Sequence, residues 1–457
     1  MVLEVDVAIM GGGLAGATLA RQLRRTLPDA DIALFERDVE RSFKVGESTV
    51  EIASNYLVRK LGLSKYLYDR QLPKNGLRFF FDTPERDAPI ERMAEIGTEG
   101  LPYHPSFQLD RAALEHALLE MNAADGVRVH RGARVRSIRP GTGGSTHEID
   151  VEDGETRTTV RARWLVDASG RARLLQKTLG TPRVDVEHPI AAAWGRFVDV
   201  TDMDTLDLPA WRGRVRHTAR YLSTNHFCYP GYWIWFIPLH GDVVSLGWVG
   251  EKTQFQDAWR KPGGFLAFLR EHAAARSLLE HARCLDMLSY GQLAYGTEWF
   301  FRPEDRLALV GEAAAFTDPF YSPGSDFIAI ENDFVTDMVR RDLVGAPANE
   351  VIELGRRYDA FVALRFDATI LLYRDLYPLL GSRELLQLKW DFDIAGYYNA
   401  WVHSYMLDQH LDPAWLDDQL AQRHYVLGAM RRFSARFQEL ERRMRAEGTY
   451  HRGNLDH

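Results

Sequence analysis

The stretch from Val5 to Glu36 constrains this chain more than any other. VDVAIM (Val5 to Met10) is a short β-type run, and it flows straight into GGGLAGATLARQLRR. There Gly11, Gly13 and Gly16 meet the G-x-G-x-x-G spacing, after a strand and at the opening of a helix. A second β-type run, DIALFER, reaches Glu36 twenty positions after Gly16. Each part has a mechanism. Gly11 permits a tight turn, Gly13 lets backbone approach a pyrophosphate, and Gly16 lets helix and strand pack closely. The helix start supplies free N–H groups and the positive end of a dipole for phosphates. Glu36 suits the hydroxyls of an adenosine ribose that carries no 2′-phosphate. A glycine-rich turn without function would explain the spacing but not its strand–helix setting or the acidic residue.

Which dinucleotide is bound is decided further along. RWLVDASGR (163–171) is a β-run ending in Asp167, with Gly170 following. LALVGE (307–312) is another, ending in Gly311 and Glu312 and followed by three alanines. These look like the second and third fingerprints of FAD-dependent monooxygenases of the aromatic-hydroxylase type. No second G-x-G-x-x-G stands in a strand–helix context, so the expectation is one FAD and no NADPH fingerprint. Arg111, at the start of the amphipathic stretch QLDRAALEHALLEM, is placed where such proteins put an arginine on FAD.

With 457 residues the chain exceeds one simple core. The expected class is α/β: a doubly wound, Rossmann-like FAD unit from residues 1–189 and 285–345, a substrate-side sheet from 190–284, and a helical part from 346–457. Residues 126–160 alternate like a β-meander. Met430, Phe433, Phe437, Leu440 and Met444 form an apolar stripe that reads as packing. A net charge of −8 offers no basic footprint for nucleic acid. No apolar run approaches a membrane span, and Glu4 and Asp6 stand where a signal peptide would be apolar. Cys228 and Cys284 form no C-x-x-C pair, which argues for a reducing, cytoplasmic setting and no metal site.

Three local motifs belong together. GYWIWFIP (231–238) has β period, so Trp233, Trp235 and Ile237 share one face and Tyr232, Ile234 and Phe236 the other. By itself that is a strand buried on both faces. KVGESTV carries Gly46, Glu47 and Ser48, and FTDPFYSPG carries Phe316, Pro319, Tyr321, Ser322 and Gly324. The W-x-W-x-I-P strand, with Pro238 closing it, the G-E-S segment and the F-x-x-P-x-x-S-x-G turn together resemble the flavin-dependent halogenases over roughly the first 345 residues.

The resemblance implies a halogenase that uses FAD reduced by a separate reductase, with oxygen and chloride or bromide. Hypohalous acid then travels through a tunnel to a lysine beside an electron-rich aromatic, free or tethered to a carrier protein. It implies that Gly46, Glu47, Ser48, Arg111, Asp167, Gly311, Glu312, Pro319 and Gly324 join the glycine triplet and Glu36 at FAD. Trp233, Trp235, Ile237, Pro238, Phe316 and Tyr321 would wall the tunnel. The family's lysine matches Lys74 in RQLPKNGLRFFF, with Ser322 as the other catalytic candidate. A surface lysine in a Pro-Lys-Asn-Gly turn is the bland alternative, and Lys44 is the competing lysine.

Two positions depart from the family. Tryptophan halogenases carry glutamate where this chain has Tyr321, which favours a phenol- or pyrrole-like substrate. Pro323 lacks an N–H in the turn whose amides hold halide, and Asp326 stands nearby. An FAD-dependent aromatic monooxygenase that uses no halide therefore stays open as the alternative.

Overall fold

In the computed structural model, which describes residues 2–40, 42–215 and 217–456, the strand Val2–Met10 lies inside an eight-stranded sheet. It pairs in parallel with Ile32–Glu36 on one side and Thr156–Asp167 on the other. Arg128–Arg131 continues the parallel order beyond the first, and Leu307–Leu309 beyond the second. Parallel strands covered on both faces need apolar side chains in every position, and Val7 through Met10 are wholly buried. The helices Leu14–Thr26 and Gly324–Leu343 pack on one another and against this layer. The alternation after residue 126 forms the expected antiparallel meander, with Ala133–Arg139, His147–Asp153 and Thr156–Asp167 paired in turn.

The second sheet has seven strands, in the order Arg283–Tyr290, Ile190–Val198, Val244–Glu251, Tyr232–Pro238, Thr224–Tyr229, Leu77–Phe81 and Ala94–Gly97. Its membership differs from the division expected from sequence. Leu77–Phe81 and Ala94–Gly97 come from the segment assigned to the FAD unit, and Arg283–Tyr290 straddles the boundary drawn between 284 and 285. The run LRFFF is buried at all five positions and pairs in parallel with Thr224–Tyr229. Such a run satisfies the interior of either sheet, so only the distant partner decides which one takes it.

GYWIWFIP is a central strand between two antiparallel neighbours, and Tyr232–Pro238 is buried throughout. Its two faces enter different cores. Tyr232, Ile234 and Phe236 pack with Trp211, Trp248 and Phe265. Trp233, Trp235 and Ile237 face the side that holds Phe320, Tyr373 and Tyr377. Gly247 lies opposite Trp235 in the register, and a methyl group there would stand 2.1 Å from the indole ring. The third region is helical, chiefly Ala348–Leu371, Arg383–Gly396 and Arg423–Ala446. The terminal stripe packs less completely than its periodicity suggests. Phe437 is buried, but Phe433 is 46% exposed and rests on Phe392, 4.1 Å between ring centres. Among the described residues no helix is long and apolar enough to cross a membrane.

Candidate functional site

The glycine turn has the steric signature of a dinucleotide cradle. Gly11 has φ +114°, and a Cβ there would lie 2.4 Å from the Ala168 carbonyl oxygen. A Cβ on Gly16 would meet the Gly11 carbonyl oxygen at 2.0 Å, so helix and turn touch only through glycine. Above Gly13 the space is open, with only a Glu115 oxygen at 3.9 Å. That open face beside a helix start is where a pyrophosphate fits. Glu36 ends the second strand and accepts from the N–H of Gly12 at 2.6 Å and of Asp38 at 2.9 Å. Each carboxylate oxygen keeps a lone pair for a ribose hydroxyl.

Other residues expected at the cofactor shape this end rather than face it. Asp167 is fully buried, out of reach of a ligand, and its two oxygens accept from the N–H groups of Ser169 and Leu175. It therefore holds the loop that packs on Gly11 instead of reaching a ligand. Arg111 grips the G-E-S loop through the carbonyls of Val45 and Gly46 and pairs with Glu115. Lys44 also ends on Glu115, 2.9 Å away, which commits it to this end of the molecule. Glu312 pairs with Arg171 at 2.7 Å, and the Gly311 N–H donates to Glu331.

Glu47 is buried against Arg196, 3.0 Å away on the second sheet. Burial raises the pKa of its carboxyl even with the arginine beside it. Arg196 in turn holds Asp286 at 2.6 Å. The next residue of the loop leads to the lysine. Lys74 lies on the short strand Leu72–Lys74 and is 1% exposed. Its Nζ donates to Ser48 Oγ and to the Thr49 carbonyl, both at 2.7 Å. Burial pushes its pKa down to about 7. A neutral amine has two N–H donors and one lone pair. Both donors are spent on the loop, so the lone pair is the part left for chemistry.

The aromatic wall is linked to this lysine through Ser48, whose Oγ also bonds the Thr224 hydroxyl at 2.9 Å. Two residues further along the same strand, His226, held neutral by burial, stacks on Phe79 and contacts Trp233 and Phe320. Trp235 donates to Ser245 Oγ and Trp233 to the Tyr377 hydroxyl. Tyr377 donates to Asp318, which His188 also contacts at 2.8 Å. Asp318 sits in the F-x-x-P turn, so a buried network ties that turn to the tryptophan strand. Pattern reasoning missed His188, Arg196, His226, Asp318 and Tyr377. Only Asp318 lay inside a recognised motif, and nothing local marks the others.

Ile237 and Pro238 complete the strand, and Phe316 packs beside the guanidinium of Arg171. Pro319 and Ser322 form a tight turn, with the Ser322 N–H on the Pro319 carbonyl and Ser322 at φ 58°. Pro323 caps the helix Gly324–Leu343 without any side-chain hydrogen bond. Asp326 does not point freely at the turn, since it accepts from the Ala53 N–H and from the Tyr397 hydroxyl. Burial lifts its pKa to about 6.

Residues 4–235 match the family described as FAD binding domain. The chain is 29% identical over 451 residues to a flavin-dependent halogenase, chlA, of Dictyostelium discoideum, covering 91% of this chain and 73% of that one. It is 25% identical over 343 residues to a 1H-pyrrole-2-carbonyl-(peptidyl-carrier protein) chlorinase of Pseudomonas fluorescens, covering 70% and 72%. Among solved structures, the halogenase PltM matches with TM-score 0.68 at 16% identity over 97% of this chain and 96% of that one. The flavin-dependent brominase Bmp2 matches with TM-score 0.68 at 19% identity over 95% and 100%. At these identities the two structures speak for a shared fold.

Proposed function

This chain belongs to the FAD binding domain family and, within it, to the flavin-dependent halogenases, and on that premise we propose that Lys74 delivers halogen to an electron-rich aromatic ring. The observation that carries the reading is a lysine sealed from water, held by two short hydrogen bonds, and linked through Ser48 and Thr224 to the strand that carries the aromatic wall. Gly11, Gly13, Gly16 and Glu36 would hold FAD at its adenosine and pyrophosphate end. Gly46, Glu47, Ser48, Arg111, Asp167, Gly311, Glu312, Pro319 and Gly324 would build the rest of that site, Asp167 and Arg111 by fixing its loops.

Reduced FAD with dioxygen supplies the oxidant that converts halide to hypohalous acid. Trp233, Trp235, Ile237, Pro238, Phe316 and Tyr321 keep ring and cofactor apart. The lone pair of neutral Lys74 accepts the O–H of hypohalous acid and aims the halogen at the ring. The ring carbon then bonds the halogen, the halogen–oxygen bond breaks, and the ring hydrogen leaves with the oxygen as water. Ser322 sits in the turn beside this path. The reduced cofactor comes from a separate flavin reductase, and the substrate is a phenol- or pyrrole-like ring, free or on a carrier protein. Two unpaired cysteines suit a reducing, cytoplasmic setting.

One observation favours a second reading. Pro323 offers no N–H at the start of the helix Gly324–Leu343, which weakens any halide clasp there. An aromatic hydroxylase of the same architecture would not need one. The test is reduced FAD, oxygen and bromide with phenols, pyrroles and indoles, read by mass spectrometry. Brominated product from the wild type, lost at least about a hundredfold in a Lys74→Ala protein that still binds FAD, is expected. Product with one extra oxygen, formed equally without bromide, would establish the hydroxylase instead.

A further inference from the structure

The short strand Ser106–Gln108 anchors both the lysine and the G-E-S loop. On one side Lys74 pairs with Ser106 in antiparallel register. On the other, the loop is fastened at three consecutive residues. The Leu109 N–H donates to the Glu47 carbonyl at 2.6 Å, Ser48 bridges Gln108, and the Thr49 N–H donates to the Phe107 carbonyl at 3.0 Å. With both backbones fixed, the amine meets Ser48 Oγ and the Thr49 carbonyl at 2.7 Å each. A tetrahedral nitrogen held at two N–H groups has the direction of its lone pair fixed, so these two acceptors aim it.

One acceptor is backbone, which leaves Ser48 as the side chain that sets the aim. The Ser48 hydroxyl is oriented in turn. Gln108 Nε2 donates to the Tyr221 carbonyl at 3.4 Å, and its Oε1 lies 3.4 Å from Thr224 Oγ1. An amide oxygen only accepts, so the Thr224 hydroxyl points its proton there, and Ser48 Oγ, 2.9 Å away, donates to Thr224. A Ser48 lone pair is left facing the amine. The chain runs one way, from Lys74 through Ser48 and Thr224 to Gln108, and ends on an amide that takes up no proton. It orients the lysine and does not carry its proton away. All three partners are buried. The charges of Glu51 and Asp326 favour protonation of the amine through space, and burial keeps His226 neutral.

We propose that Ser48 and Thr224 are positioning residues for the halogen-transferring lysine, Ser48 by holding its amine and Thr224 by holding the Ser48 hydroxyl. Ser48 keeps its place in the loop beside the cofactor, but its side chain serves the lysine. This rests on the halogenase reading above and deepens it.

The experiment follows bromination of 1-naphthol by the FAD-loaded enzyme across pH, with chemically reduced FAD, oxygen and bromide. In Ser48→Ala, kcat on the alkaline plateau should fall about tenfold while KM and FAD affinity stay. An oxygen acceptor holds an ammonium more strongly than a neutral amine, so its loss should also move the rise in rate to lower pH by roughly one unit. Asp326 titrates nearby, at about 6, but is the same in every variant, so differences report on the amine. Thr224→Val should lower the plateau, and Thr224→Ser, which keeps the hydroxyl, should restore it. A rate that merely scales with the midpoint unmoved, a loss matched by weaker FAD binding, or equal rates in the two Thr224 variants overturns the proposal. A second arm needs no turnover. It titrates Lys74 by NMR in protein carrying 13C at the lysine ε carbons, with Lys74→Arg marking the signal. If the wild type forms no brominated product, the halogenase reading fails by itself and this arm decides. A midpoint of about 7 in the wild type that falls in Ser48→Ala supports the positioning role, and equal midpoints overturn it.

Discussion

At the scale of single residues, the chemistry proposed here turns on what burial does to Lys74. An amine in water titrates near ~10.4. Burial disfavours its charge and brings the value to about 7. The neutral form is therefore populated above about pH 7 and depleted below it. Halogenation should rise as pH increases through about 7 and then level off, while FAD binding shows no such limb. Lys74→Arg, whose guanidinium stays charged, should lose at least about a hundredfold at every pH. A variant as active as the wild type at pH 8 would remove the lysine from the reaction. The sign for stability follows from the same shift. Between about pH 7 and the unfolded value, the unfolded chain binds the proton that the folded one has lost. Through this group, stability should rise with pH over that window, and Lys74→Met should lack the rise in denaturant titrations at pH 7 and 9. Pro323 is the other residue with a direct test. Pro323→Thr restores an N–H to the turn, and a hydrogen bond to an anion contributes ~1.5–3 kcal/mol. The bromide concentration for half-maximal rate should fall about tenfold. An unaltered halide dependence would place the clasp elsewhere.

At the scale of elements, the tryptophan strand shows how sequence pattern and packing divide the work. Period-two alternation gives the strand two faces, and neighbouring strands decide what each face meets. The neighbour opposite Trp235 is Gly247, whose missing side chain leaves room for the indole. Gly247→Ala should force the indole or the strand to shift, at a cost of ~1–3 kcal/mol. Denaturant titration measures this, and Trp235 fluorescence should change with it. If stability and emission both match the wild type, the indole is not held by that contact. The helix Gly324–Leu343 works at both ends of the story. Its first turn lies in the F-x-x-P-x-x-S-x-G motif, and its middle carries Asn332 and Asp333 into the FAD side of the molecule.

At the scale of the whole molecule, Asp333 joins three distant parts of the chain. It accepts from Gln22 on the first helix at 2.7 Å and from His410 in the helical region at 2.8 Å, and it pairs with Lys60. Burial alone would raise its pKa, but the hydrogen bond from His410 and the charge of Lys60 hold it low. Its contribution is thus present above the ordinary aspartate value of ~3.9 and lost as pH falls below it. Asp333→Ala strands these partners and should cost ~3–5 kcal/mol, read as a lowered denaturant midpoint. A loss under 1 kcal/mol would show that packing, not this cluster, seats the helical region. The cofactor end was legible beforehand because its rules are local. Glycine spacing, a strand before it and an acid after the next strand all lie within 36 residues of the start. The two-faced strand was legible for the same reason, since alternation is written in consecutive residues. Other features belong to tertiary structure alone. Arg196 lies 149 residues from Glu47, and Tyr377 lies 59 from Asp318. Lys389 and Asp393 read as one more helical pair at i and i+4 until the helix is laid against Tyr321. Sequence by itself determined that this chain builds a dinucleotide cradle, an aromatic strand and a lysine between them. Whether that lysine is a solvated charge or a neutral amine was decided only by the fold. A side chain's charge depends on the water around it, and segments far apart in the chain exclude that water.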